Sequence, residues 1–215
     1  PDLPVILVVG GSLGTRSLNE MMKAWIVETG GEAPVQVIWQ TGKYYEREMQ
    51  AFLAAHPAKH VWQGAFIDRM DYAYAAADLV VSRSGAGTVS ELCLVARPVL
   101  FVPSPNVAED HQTKNARALE TKGAAVVVAD AESRTKAMPR ALGLLADREA
   151  LAAMSNEHKK YADKISVQFT NAVLDGRTVG EMKELINRSF VISRIADADN
   201  HITVATQDSL SLIHI

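Results

Sequence analysis

Val5-Ile6-Leu7-Val8-Val9-Gly10-Gly11-Ser12-Leu13-Gly14 reads as an unbroken apolar strand that runs into a glycine turn, with a helical pattern starting at Ser17. A continuous apolar run, as opposed to an alternating one, belongs to a strand covered on both faces. The arrangement repeats at Leu79-Val80-Val81-Ser82, which leads through Arg83 into Ser84-Gly85-Ala86-Gly87-Thr88. At each turn the free backbone N–H groups and the positive end of the next helix face a common sheet edge, a setting suited to a phosphate or diphosphate.

Outward from these two stretches, β-type runs alternate with helical ones, as in a parallel sheet covered by helices. Strands are expected at Val5 to Val9, Val35 to Gln40, His60 to Ala65, Leu79 to Ser82, Val99 to Val102 and Ala124 to Val128. Between them, Leu18, Met21, Met22 and Trp25 recur at helical spacing, as do Tyr45, Met49, Phe52 and Leu53. Asp110 is the expected N-cap of a fifth helix and Gly123 its stop. Two amphipathic helices, Ser133 to Ala146 and Arg148 to Lys164, would close the domain. The fold class is α/β, a Rossmann-like parallel sheet with helices on both faces. One domain is expected over 1–164, followed by a tail, 165–215, in which Val179 to Asn187 reads as a helix and His201 to Ala205 as a strand without a fixed place.

Composition narrows the function classes. With 215 residues, 48% of them hydrophobic, the chain is long enough to bury one substantial core. Lys+Arg 22 against Asp+Glu 25, with no basic stripe among aromatics, argues against nucleic-acid binding. The single cysteine, Cys93, lies in an apolar helical stretch and reads as a buried thiol, which excludes a disulfide scaffold. No apolar run approaches the ~20 residues of a membrane span, and the expectation is a cytoplasmic protein. The chain opens on Pro1 with a core strand almost at once, which predicts a piece of something longer.

The first turn admits several chemistries. A dinucleotide site would need G-x-G-x-x-G and an acid at the end of the second strand, where Gln40-Thr41-Gly42 stands instead. Gly10-Gly11-Ser12-Leu13-Gly14 does match the G-x-S-x-G nucleophile elbow, which keeps a serine hydrolase using Ser12 as one alternative. It follows the first strand, however, and Asp110-His111 are adjacent to each other and so cannot serve as separate triad partners. The other readings are a backbone cradle for phosphate with Ser12 as hydroxyl donor, or a turn used only for tight packing.

The second turn adds side chains. Thr88-Val89-Ser90-Glu91 fits a capping box, in which Glu91 merely starts a helix. Alternatively the N–H groups of Ala86 to Thr88 hold phosphates while Glu91 accepts both hydroxyls of a ribose, since a carboxylate offers one oxygen to each. Arg83 is either a phosphate partner or a solvated loop residue. After the fifth strand, Pro103 and Pro105 delay the helix until Asp110, so that His111 and Gln112 sit in its first turn, placed to read sugar hydroxyls. No second ligand at suitable spacing makes a metal site there.

Five clusters in register carry a family resemblance: Gly10 to Asn19, Gln40 to Gly42, Phe66 to Met70, Arg83 to Glu91 and Asp110 to Ala116. Over about residues 4 to 160 the chain resembles the C-terminal half of the MurG family, bacterial UDP-GlcNAc transferases of peptidoglycan synthesis with the GT-B architecture. The resemblance implies a UDP-sugar-binding domain over 1–164, with Ser12 beside the diphosphate and the backbone of Ile67 against uracil. It implies Ala86, Gly87, Thr88, Val89, Ser90 and Glu91 around diphosphate and ribose, and Gln112 on the GlcNAc hydroxyls. The implied reaction transfers GlcNAc with inversion to undecaprenyl-diphospho-MurNAc-pentapeptide (lipid I), giving lipid II, without metal or cofactor. The implied setting is the inner face of the bacterial cell membrane, held peripherally. In the family an N-terminal domain binds the lipid acceptor, meets the membrane and supplies the general base. None of it is recognisable here, so the chain alone is expected to bind donor weakly without turnover. A donor-binding subunit of a two-chain transferase is the other alternative.

Overall fold

The computed structural model describes residues 3–11, 13–107, 110–165, 194–196 and 202–204, with side chains as far as 160. Two compact units divide the chain, Pro1–Ala162 and Asp163–Ile215. In the first, strands β1 (Val5–Val9), β2 (Gln36–Gln40), β3 (Val61–Gly64), β4 (Leu79–Ser82), β5 (Val99–Phe101) and β6 (Val126–Val127) alternate with helices. These are α1 (Arg16–Thr29), α2 (Glu46–Ala55), α3 (Met70–Ala76), α4 (Ala86–Val95), α5 (His111–Glu120), α6 (Ser133–Ala146) and α7 (Arg148–Ile165).

The six strands form one parallel sheet in the order β3-β2-β1-β4-β5-β6. This is the Rossmann-like order, in which the chain leaves β1 toward one edge and later returns to its other side through β4. β1 is therefore paired on both sides, Val5 opposite Gln36 and Ile6 opposite Leu79.

Side-chain alternation along the strands makes two cores. Ile6, Val8, Val37, Trp39, Leu79, Val81 and Leu100 face one side, against Met21, Met22 and Ile26 of α1, Met49 of α2 and Met138 and Ala141 of α6. Leu7, Val9, Val80, Val99 and Phe101 face the other, against Tyr74 of α3, Leu92 and Cys93 of α4 and Ala116 and Leu119 of α5. Each fully buried aliphatic chain contributes about 1.5 to 3 kcal/mol, which is why both helical layers stay on the sheet. Cys93 is buried as expected, and that burial pushes its thiol up to about 11.

Buried polar groups tie the layers together. Asn19 of α1 accepts from Trp39 Nε1 at 2.9 Å and donates to the Thr41 carbonyl at 3.0 Å, fixing the turn after β2. His158 of α7 lies between the carbonyl oxygens of Leu92 and Ala124.

In the second unit, Arg194–Ala196 pairs antiparallel with Ile202–Val204, with Ile195 opposite Thr203. The strand expected at 201–205 is realised over Ile202–Val204. The helix expected at 179–187 lies outside the described residues.

Candidate functional site

A cleft of about 640 Å³ opens at the C-terminal edge of the sheet, where the connections leaving the paired strands β1 and β4 run to opposite faces. That switch point is where open α/β sheets hold their ligands. Its floor is the end of β1, Val9 and Gly10, and its walls come from the turns after β1, β3, β4 and β5.

The two glycine turns meet at this floor but are built differently. Gly14 has φ +87°, and a Cβ there would lie 2.3 Å from the Thr41 carbonyl oxygen. Gly42, from the turn after β2, has φ +83° and would place a Cβ 2.0 Å from the Gly14 Cα. The two backbones therefore cross with no room for side chains, and both glycines are required by conformation and by contact. Gly85 differs: its φ is −62°, and a Cβ there meets nothing within 4 Å. It borders the open cleft.

Helix starts supply the polar character. Thr15 is the N-cap of α1 and Gly85 that of α4; both line the cleft, and neither caps its helix through a side chain, the Thr15 hydroxyl donating instead to the Gly10 carbonyl at 2.8 Å. The unpaired N–H groups of two first turns thus lie at one site, an environment for anionic oxygen.

α4 begins at Ala86, so Thr88 is not its cap and the capping box is not formed. Along this helix Gly85, Thr88 and Glu91 line the cleft at spacings of three. A helix presents only such a stripe to one side. Ala86 is exposed and Gly87 half-buried in the same first turn. Val89 packs against the second core, and the Ser90 hydroxyl donates back to the Ala86 carbonyl at 2.9 Å. The Glu91 carboxylate accepts from the Tyr74 hydroxyl at 3.1 Å.

Gln112 faces α4 across the cleft. Its Oε1 accepts from the backbone N–H of Ser104 at 3.0 Å and of Ser84 at 3.4 Å. Two N–H donors on one side decide which end of the amide points there, so Nε2 is the end left for a ligand. Ser84 completes the clasp, its hydroxyl donating to the Gln112 carbonyl at 2.8 Å and its own carbonyl accepting from Asn115 Nδ2 at 3.1 Å. His111 is exposed, and the cleft wall is built from Gln112 and not from it. Asp110 is the N-cap with φ +53°; its carboxylate accepts from the Thr113 hydroxyl at 2.6 Å in place of a cap to the backbone.

One expectation changes. Arg83 is not a solvated loop residue: it lines the cleft with its guanidinium engaged by the protein. Its Nη1 donates to the carbonyls of Val102 and Pro103 and to Asp130 Oδ1, at 2.8, 3.0 and 2.6 Å, and its Nη2 donates to the Ser17 hydroxyl at 2.7 Å. The guanidinium is thereby committed to holding strand ends against α1 and the turn at Asp130–Glu132. The Ile67 side chain belongs to the second core, which leaves the backbone as the part of this residue the expectation concerns, and its neighbours Phe66 and Met70 line the cleft. Ser12 lies outside the described residues.

Among the described lining residues Glu91 is the only carboxylate and there is no histidine, so a nucleophile elbow at this turn has no acid–base partners in the cleft. No described group of His, Cys, Asp and Glu is arranged to hold a metal ion. Sequence reasoning missed Tyr74, which stands in no recognisable motif, and gave no role to Ser104 within the polar cluster after the fifth strand.

Comparison with known proteins gives the cleft its context. The signature of the Glycosyltransferase family 28 C-terminal domain matches residues 5–169. A Parabacteroides distasonis protein is 46% identical over 188 residues, covering 87% of this chain and 49% of that protein. It is named UDP-N-acetylglucosamine–N-acetylmuramyl-(pentapeptide) pyrophosphoryl-undecaprenol N-acetylglucosamine transferase. A Bacteroides fragilis protein of the same name is 49% identical over 156 residues, covering 72% of this chain and 41% of that one. Among solved structures, Acinetobacter baumannii MurG superposes with a TM-score of 0.65 at 33% identity, over 75% of this chain and 46% of that one. The chain thus spans about half the length of the curated relatives it matches.

Proposed function

The chain belongs to the glycosyltransferase family 28 C-terminal domain family, and on that premise we propose that it is the donor-binding half of a GT-B UDP-GlcNAc transferase. In this reading the complete enzyme moves GlcNAc from UDP-GlcNAc, with inversion, to the MurNAc of lipid I and forms lipid II; the donor and the N-acetylmuramyl-(pentapeptide) pyrophosphoryl-undecaprenol acceptor are those in the relatives' name. The observation that carries this reading is the pairing of the Gly85, Thr88 and Glu91 stripe with the outward amide of Gln112 across one cleft. The stripe offers backbone N–H groups to a diphosphate and a carboxylate to a ribose diol; the amide offers donors to a sugar.

Departure of UDP builds negative charge on the diphosphate. A single helix end contributes about 0.3 to 2 kcal/mol toward that charge, so the several N–H donors of the two first turns share the work. Ser12, Ala86 and Gly87 are assigned to the diphosphate, Ile67 through its backbone to uracil, Glu91 to the ribose, and Gln112 to the GlcNAc hydroxyls. Val89 and Ser90 shape the same segment. Hydrogen bonds of this kind discriminate sharply, because a wrong sugar leaves buried polar groups unpaired.

Deprotonation of the acceptor hydroxyl needs a base. The one carboxylate of the described lining is engaged with Tyr74, which supports a base and an acceptor site supplied by the other half of the full-length enzyme. We place that enzyme at the inner face of the cytoplasmic membrane, where a lipid acceptor is met; among the described residues no helix is long and apolar enough to cross a membrane. The division into a donor domain over 1–164 and a separate tail belongs to this proposal.

Calorimetry of the chain with UDP-GlcNAc, UDP-galactose and UDP tests the reading. UDP-GlcNAc is expected to bind more tightly than UDP-galactose, with UDP retaining most of the affinity. Equal affinity for the two sugars would remove the GlcNAc assignment, and lipid II formation by the isolated chain would contradict the placement of the base.

A further inference from the structure

Glu91 does not stand alone at the cleft wall. Tyr74 reaches it from α3: the ring is 4% exposed, packed in the second core with Leu92 and Cys93, and the hydroxyl emerges to donate to Glu91 Oε2 at 3.1 Å. An aromatic body held by packing with a polar tip at the surface is a rigid means of placing one O–H group. A half-buried glutamate, by contrast, has three rotatable bonds and must be ordered at an entropic cost before it can receive a ligand.

We propose that Tyr74 is a positioning residue that holds the Glu91 carboxylate ready for the two hydroxyls of a ribose. The inference rests on the nucleoside-diphosphate reading above. An ionised carboxylate has about four lone-pair sites on its two oxygens. Tyr74 occupies one of them on Oε2, which leaves Oε1 and the second site of Oε2 for a vicinal diol. Because the tyrosine donates to the carboxylate, it leaves the remaining acceptor sites of Glu91 to the ligand. Its ring is anchored in the second core while the residue borders the cleft beside Glu91, so the carboxylate is oriented by a group that packing holds in place.

Binding of UDP and of 2′,3′-dideoxy-UDP, measured side by side, separates this role from simple support of the fold. Tyr74→Phe keeps the ring and its packing and removes only the O–H. UDP affinity should fall about tenfold, as expected for losing one hydrogen bond that orients a charged group. Dideoxy-UDP, which lacks the diol, should bind the variant as it binds the wild type and so reports an intact fold. Glu91→Gln should compress the UDP to dideoxy-UDP ratio in the same way, and adding Tyr74→Phe to a Glu91→Ala background should change the ratio no further. Equal losses for both nucleotides in Tyr74→Phe, or no loss for UDP, would overturn the proposal. A wild-type chain that binds the two nucleotides alike would remove both Glu91 and Tyr74 from ribose recognition while leaving a diphosphate site. Failure of the wild type to bind UDP at all would instead overturn the donor-site reading, and this inference with it.

Discussion

The turn after β1 and the turn after β4 share a composition and divide the work. In the first, Gly14 is a glycine because its backbone crosses that of Gly42 from the turn after β2, and both adopt positive φ. In the second, Gly85 is a glycine with ordinary φ and empty space around it, at the mouth of a helix whose next turns carry Thr88 and Glu91 toward the cleft. Glycine thus serves the protein's own geometry at one turn and leaves room for something else at the other.

The most severe way to test this contrast is Gly14→Ala. Left-handed strain and a Cβ within 2.3 Å of a carbonyl oxygen should together cost about 2 to 5 kcal/mol, read as a lowered urea midpoint. Gly85→Ala should spare stability, with a change under about 1 kcal/mol for a cap substitution. It should still weaken UDP by about tenfold, because the new methyl projects into space that a ligand would occupy. A large stability loss in Gly85→Ala with unchanged UDP binding would erase the distinction between the turns.

Gln112→Glu sharpens the comparison at the opposite wall. The carboxylate can still accept from Ser84 and Ser104 N–H but can donate to nothing, so calorimetry should show UDP-GlcNAc losing about fivefold to tenfold with UDP unchanged. The smallest effect is expected behind the second turn. With its thiol raised to about 11 by burial, Cys93 should remain unalkylated by iodoacetamide in the folded protein at pH 8 and react only on unfolding. Its sign in stability follows: the raised value favours the folded state below about pH 9, the unperturbed thiol value, and that contribution is lost as pH rises toward 11.

Much of this architecture was legible because burial on both faces leaves an unmistakable mark. Val5–Val9 and Leu79 to Val81 are uninterrupted apolar runs, and they belong to the two strands that flank the switch point. α6 was read over its full length, Ser133–Ala146, because its apolar spacing outweighs the internal Pro139. The start of α4 was harder, since Thr88 and Glu91 imitate a cap while Gly85 fills the position with no side chain at all. Of the site, Thr88, Glu91 and Gln112 were recognisable by chemical type. Arg83 was not, because its partners Ser17 and Asp130 lie 66 and 47 positions away and no local pattern connects them. Tyr74 was hidden for another reason: a tyrosine on the apolar face of a short helix looks like core, and it is core except for one oxygen atom.

The place of β1 between β2 and β4 has a consequence for how the protein is made. Its Val5 N–H is bonded to Asp78, 73 positions further along the chain, so this wholly apolar strand is synthesised well before its second neighbour and must wait for it. At about 5 to 20 residues per second that wait lasts roughly 4 to 15 s, during which one side of the strand has no partner. A ribosome pause between β2 and β4 would lengthen that exposure, and the yield of native protein should depend on translation speed across that interval more than on any codon after β5.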